Sequence, residues 1–255
     1  MFGMGRNKRL KAVCVTASDC GLVRKANEDH VFVDGAKTLF VVADGMGGGS
    51  EGATASRFVC EALEKVAEET TFVDRMEAVD AAIRTANDRI RAYAKERNFT
   101  QMGSTVAVLV IDPADSHRAA VCHVGDSRVY RVRAGSAELL TKDHTIGSQL
   151  SAFAHGRQAD DLKSRTNPLA HVLTRAIGVG PDVAGDWRRL DLTAGDMLLT
   201  CSDGVHDVIS DVQVGELLSP SKSLAEVADG LSKRIVECGA PDNYSFVLVQ
   251  MEVQS

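Results

Sequence analysis

Four aspartates, Asp44, Asp126, Asp203 and Asp242, stand where apolar runs end or begin. LFVVADGMGGG, Leu39 to Gly49, carries five apolar residues into Asp44; AAVCHVGDSR leads to Asp126 and MLLTCSDG to Asp203; Asp242 precedes the run in APDNYSFVLV. Short Val-rich runs bounded by glycine read as buried strands. A carboxylate at such a terminus, beside a glycine able to expose its carbonyl, offers the oxygen ligands that Mg²⁺ and Mn²⁺ prefer. Asp44-Gly45 taken alone reads as a β-turn. Repetition changes that reading. A buried Asp costs several kcal/mol unless paired or metal-bound, and two carboxylates ~4 Å apart repel by about 4 kcal/mol near a surface. If these strands are neighbours, bound cations are the natural remedy.

The elements that must position these groups follow from periodicity. Strands are expected over 11–18, around 31–33 and 38–43, and over 104–111, 119–124, 128–133, 137–141, 186–192, 196–201 and 245–253. Residues 119–124 and 128–133 flank Gly125-Asp126-Ser127 and read as a hairpin. Phe58, Val59, Ala62, Leu63 and Val66 recur at helical spacing, and a second stripe runs through Met76, Val79, Ile83, Ala86, Ile90 and Tyr93 behind a cap at Thr71 or Asp74. A short helix after Asp203 and a longer one over 224–237 close the set. Residues 145–182 hold polar stretches such as GRQADDLKSRTN and two short helical segments, too much for a plain connection, so they read as a lid or insertion. Runs of strands alternate with grouped helices, which indicates α+β with antiparallel sheets.

At 255 residues the chain suits one large domain, and 44% hydrophobic with 25% charged residues is ordinary globular composition. A net charge of −6 gives no global attraction to nucleic acid or anionic membrane. The basic cluster RNKRLK, Arg6 to Lys11, reads as a solvated arm; no apolar signal core follows it, and no run reaches the ~20 residues of a membrane span. Six cysteines without a CxxC pair form neither a disulfide framework nor a zinc site. A reduced, cytoplasmic monomer is expected.

Eight segments, in order, resemble the metal-dependent protein phosphatases of type 2C. GLVRKANED (21–29) is similar to the family's G-x-x-R-x-x-N-E-D, ADGMGGGSEGATAS to its D-G-M-G-G segment, and GST (103–105) to G-[ST]-T. HVGDSRVYR, LTKDHT, LTRAIG (173–178), CSDGVHD and PDNYSFVLV complete a match spanning Gly21 to Val249. Any one of these is weak; the ordered set is specific. The resemblance implies a four-layer αββα sandwich, two central antiparallel sheets flanked by helix pairs, as one domain over 1–255 with a flap-like insertion at about 145–182.

The same resemblance implies two Mn²⁺ or Mg²⁺ ions and a third, weaker one. Asp44 would bridge the two core ions, the Gly45 carbonyl would bind one, and Asp203 and Asp242 would hold the other. Asp126 would serve the third ion. Glu28 and Asp29 would hold metal-bound waters, and Arg24 would hold the substrate phosphate. Phosphate monoesters need acceleration approaching ~10²¹-fold, and two cations ~3.5–4 Å apart can acidify a water and aim it at phosphorus. Arg24 adds a planar fork that Lys lacks. The implied activity is hydrolysis of phosphoserine and phosphothreonine in proteins, opposing a Ser/Thr kinase. A phosphoprotein-binding pseudophosphatase would usually lack a metal carboxylate, and a phosphatase of small phosphoesters is separable only by substrate profiling.

One position departs from many eukaryotic members, which carry His where this chain has Met46, a side chain that donates no proton. His30, His123, His144 and His206 lie near motif carboxylates but form no HxxxH or HxH pair, and a structural hydrogen bond is expected of His144. Ser127 and Ser202 lack a nucleophile elbow. Asn243 is expected to order the loop beside Asp242, and Arg128 to serve the turn or an ion pair.

Overall fold

Alternation along the strands decides the architecture. In β3 (Leu39–Met46), Leu39, Val41 and Ala43 pack under helices, while Phe40 and Val42 face a second sheet. Successive side chains of a strand point to opposite faces, so such a run is buried on both sides. The computed structural model describes residues 8–163, 167–218 and 222–254. Arg6 and Asn7 of the expected basic arm, and 164–166 of the expected insertion, lie outside them.

In chain order the strands preceding β3 are β1 (Leu10–Asp19) and β2 (Asp29–Val33), and α1 (Ser50–Glu64) and α2 (Phe72–Arg97) follow it. Then come β4 (Gly103–Ser104), β5 (Val106–Ile111), β6 (Arg118–Val124), β7 (Arg128–Arg133), β8 (Ser136–Leu139), α3 (Ile146–Ser151) and α4 (Arg157–Lys163). The chain continues through β9 (Asp186–Asp191), β10 (Met197–Cys201), α5 (Asp203–His206), α6 (Asp211–Leu217), α7 (Leu224–Glu237) and β11 (Tyr244–Val253). One sheet has the order β1-β11-β10-β7-β8, the other β2-β3-β5-β6-β9, with β4 paired to β3. Every strand pair is antiparallel.

Three apolar layers result. Phe40, Leu109, Val121, Leu198, Val247 and Val249 meet between the sheets. Val59, Leu63, Val79, Ile83 and Ile90 of α1 and α2 cover one outer face, and Val214, Val227, Leu231 and Ile235 of α6 and α7 cover the other. Each fully buried Leu, Ile or Phe contributes about 1.5–3 kcal/mol. The expected sandwich is the one observed. α2 starts at Thr71, whose hydroxyl accepts from Asp74 N at 3.2 Å, which decides between the two candidate caps.

The expected hairpin across Gly125-Asp126-Ser127 is overturned. β6 pairs with β5 and β9, whereas β7 pairs with β10 and β8 in the other sheet. Gly125, at φ +96°, with Thr105 packed where a Cβ would be, lets the chain cross between layers. The β-turn reading of Asp44-Gly45 also fails, because β3 runs through both residues and pairs Gly45 with Ser104.

Candidate metal centre

The carboxylates meet at one end of the sandwich because five segments end there. Asp44 sits directly opposite Asp29 in the β2–β3 register. Its backbone carbonyl accepts from Thr105 N at 2.8 Å and Ser104 Oγ at 2.9 Å. α1 then presses on the strand so closely that a Cβ on Gly45 would lie 2.0 Å from the Gly52 carbonyl oxygen, and one on Gly52 would lie 1.8 Å from Glu28 Oε2. Only glycine fits at either position. Glu28 Oε1 accepts from Gly49 N at 2.6 Å, tying the glycine turn down.

The remaining groups are positioned by side-chain staples. Asn243 accepts from Glu28 N at 2.9 Å and donates to the carbonyls of Cys20 and Ala26, both at 2.9 Å. It therefore orders the loop that presents Arg24. Arg24 Nη2 donates to Asp242 Oδ2 at 2.6 Å, at the mouth of the site. Asp203 opens α5 directly after β10, and Ser202 before it donates to Asp29 Oδ2 at 2.7 Å. Asp126 is held through its backbone: His206 Nε2 donates to its carbonyl at 3.0 Å, and Gly125 N donates to His144 Nδ1 at 3.1 Å.

A cavity of about 280 Å³ is lined by Arg24, Glu28, Asp44, Gly45, Asp126, Asp203 and Asp242, seven of the eight expected site residues. The eighth, Asp29, is buried near Asp44 and Asp203, and its Oδ1 has no hydrogen-bond partner among the described residues. Electrostatics across this group are adverse. Burial, then the charges of Asp203, Asp29 and Asp126, push Asp44 well above the usual carboxylate range. Asp44 and Asp203 are half-buried and both line the cavity, and burial is the largest cause of their raised pKa values. Burial, Asp203, Asp143 and Asp207 raise Asp126 in the same way. Burial, with Asp203 adding, pushes Asp29 up to about 7 against hydrogen bonds that favour its charge. A hard-oxygen donor set with excess negative charge and an orphaned buried carboxylate oxygen fits divalent cations.

A family model described as protein phosphatase 2C matches residues 24–240. The chain belongs to this family. It is 34% identical over 235 residues to the serine/threonine protein phosphatase PstP of Mycobacterium tuberculosis, covering 92% of this chain and 44% of PstP. This phosphatase 2C chain thus spans less than half of that relative. The serine/threonine phosphatase Stp of Listeria innocua is 30% identical over 241 residues, 91% of this chain and 93% of Stp. Among solved structures, the catalytic domain of PstP in complex with two manganese ions superposes with a TM-score of 0.82 at 32% identity, covering 95% of this chain and 99% of that one.

Within this phosphatase 2C fold several expectations about individual side chains hold. Arg128 forms a two-pronged ion pair with Asp143, at 3.0 and 2.6 Å. Ser127 shares a 2.6 Å hydrogen bond with Thr105. His144 is structural: its Nδ1 accepts from Gly125, so its Nε2 donates to Asp186 at 3.1 Å. His123, His144 and Asp186 are, among the described residues, the one group of three whose ligand atoms all lie within 4.8 Å. Their geometry opposes chelation. The two imidazoles stack at 4.4 Å with planes 24° apart, so their lone pairs run side by side instead of converging.

Sequence reasoning missed Thr105, His171 and Leu173 as cavity-lining residues. Thr105 belongs to the quoted GST segment, a signal that was there to use. Leu173 likewise opens the quoted LTRAIG segment, whereas His171 comes from the insertion just before it, where polarity alone marks no particular side chain. Among the described residues no helix is long and apolar enough to cross a membrane.

Proposed function

We propose that this chain hydrolyses phosphoserine and phosphothreonine esters in proteins, using Mn²⁺ or Mg²⁺ held by Asp44, the Gly45 carbonyl, Asp203 and Asp242. Asp126 would hold a third, weaker ion, and Glu28 and Asp29 would orient coordinated waters. The observation that carries this reading is the like-charged cluster itself. Asp44 faces Asp203, Asp29 and Asp126 with its pKa driven up, an arrangement that bound cations would relieve. When bound, two cations supply Lewis-acid stabilisation of the phosphoryl oxygens and lower the pKa of a water toward 7.

The protein's own groups do the rest. Arg24, anchored by Asp242 at the mouth, offers guanidinium N–H donors to two phosphoryl oxygens. Ser202 and Ser245 hold Asp29 in place, and Glu28 is fixed by Gly49 N. Met46 lines the same cavity without an exchangeable proton, so the leaving oxygen would take its proton from a water and not from this side chain.

The unit is one catalytic domain over 1–255, supported by the pairing of β1 with β11 along ten residues each. The insertion at 145–182 acts as a flap over the site, since His171 and Leu173 line the cavity. The phosphoester removed must be made by a Ser/Thr kinase, and both would work in the cytoplasm, where ATP is available. The chain is proposed to work as a monomer. Mn²⁺-dependent phosphate release from p-nitrophenyl phosphate and from a phosphothreonine peptide tests the proposal. Loss of release in Asp44→Ala and Asp203→Ala is expected; full activity in either variant defeats it.

A further inference from the structure

A second cavity, of about 460 Å³, opens directly beside the catalytic one and shares Met46, Gly47, His171 and Leu173 with it. Its other walls are mainly apolar: Phe99 and Met102 from the segment after α2, and Ala176 and Val179 from the far end of the insertion. Arg175 is the one formally charged lining residue among those described, and its guanidinium is bound to Asp186. A Cβ built on Gly103 would lie 2.6 Å from Met46 Cε and 3.2 Å from Val179 Cγ2, so these two side chains sit together over a bare glycine. Met46 is thus the boundary between phosphate chemistry and an apolar trough.

The trough is preformed. Asn87, 1% exposed on α2, accepts from Gly178 N at 2.7 Å and donates to the Gly180 carbonyl at 3.1 Å. Ser104 and Ile177 exchange backbone hydrogen bonds at 2.9 and 2.8 Å below it. These contacts lock 177–180 against the core, yet Val179 is left 63% exposed at the rim. A rigid wall that holds an apolar side chain out in water, continuous with a catalytic cavity, matches a pocket for part of that cavity's own ligand.

We propose that this trough is a substrate subsite that seats an apolar side chain lying close in sequence to the phosphorylated residue. The proposal deepens the phosphatase reading above and rests on it. Because consecutive Cα atoms are about 3.8 Å apart, a shared boundary at Met46 puts the seated residue within a few positions of the phosphothreonine. Asp or Lys there would lose its hydration against Phe99, Met102 and Val179.

The test is a panel of phosphothreonine peptides carrying Leu, Phe, Gly or Asp at each position on both sides of the phosphorylated residue. Each rate is divided by the same enzyme's turnover of p-nitrophenyl phosphate, which carries no neighbouring side chain. The wild type is expected to prefer Leu or Phe over Asp by about ten-fold or more in kcat/KM at one position. Val179→Asp is expected to reduce that preference to near unity. A wild type that cleaves p-nitrophenyl phosphate but treats all peptides alike overturns the subsite and leaves the phosphatase reading standing. A preference that survives Val179→Asp overturns it too, and a wild type inactive on every substrate overturns both.

Discussion

Strand β10 has an aspartate just beyond each end, and the two live in opposite surroundings. At one end Asp196, fully buried, accepts from Arg133 Nε at 2.6 Å and Nη2 at 2.7 Å, and from Thr193 N at 2.8 Å. At the other end burial and the charges of Asp207 and Asp242 push Asp203 up, against His206 and a hydrogen bond with Asp44. The strand that separates them is only five residues long, Met197 to Cys201. The difference teaches what each end is for. A carboxylate given its own arginine completes the fold unaided; carboxylates turned on one another leave stability unused until cations arrive.

Breaking each end should therefore do different things. Asp203→Ala should cut Mn²⁺-dependent turnover by more than the ~10–100-fold typical of losing an outer-sphere partner, while apo stability holds or rises. Asp196→Ala should instead lower unfolding stability by about 2–3 kcal/mol, near the low end for a buried pair because Arg133 is 43% exposed and can turn to water. Its turnover per folded molecule should stay at the wild-type level. Urea unfolding and steady-state kinetics on both variants decide the comparison. If Asp196→Ala proved the less active and Asp203→Ala the less stable, the assignment of roles would be reversed.

Arg24 sharpens the picture at the mouth of the site. Arg24→Lys should raise KM for phosphoester substrates by about ten-fold, since a point charge replaces the fork. An unchanged KM would remove Arg24 from phosphate binding. The last effect concerns pH. Burial holds the His123 imidazole down to about 4, with His144 adding. The folded protein keeps His123 neutral where the unfolded chain, titrating near 6.5, takes a proton. This contribution is complete above pH 6.5 and is lost as pH falls toward 4, amounting to about 3 kcal/mol over that window. His123→Gln should flatten the acid limb of a stability–pH curve; an unaltered limb would assign it to other groups.

Much of the site was legible in the sequence because its chemistry is local. Asp44, Asp126, Asp203 and Asp242 each sit beside an apolar run, and strand termini from adjacent strands gather at one edge. What failed was non-local. Gly125-Asp126-Ser127 has the composition of a hairpin turn, but whether β7 pairs with β6 or crosses to β10 depends on packing between sheets, which no short window contains. The trough was invisible for the same reason. Phe99 and Val179 are eighty positions apart and are brought together through Asn87, a polar side chain buried on α2. The placement of Asp29 also needed three dimensions, since Ser202, which donates to its other carboxylate oxygen, is 173 residues away.

The central claim, that the aspartate cluster is strained without cations and satisfied with them, is tested most directly by thermal unfolding with and without Mn²⁺. The wild type should gain about 2.7 kcal/mol at 100 times its Kd, seen as a rise in Tm. Asp44→Asn should start with a higher metal-free Tm than the wild type and gain little from Mn²⁺. A wild-type Tm indifferent to Mn²⁺, or an Asp44→Asn variant stabilised by Mn²⁺ as much as the wild type, would contradict the account.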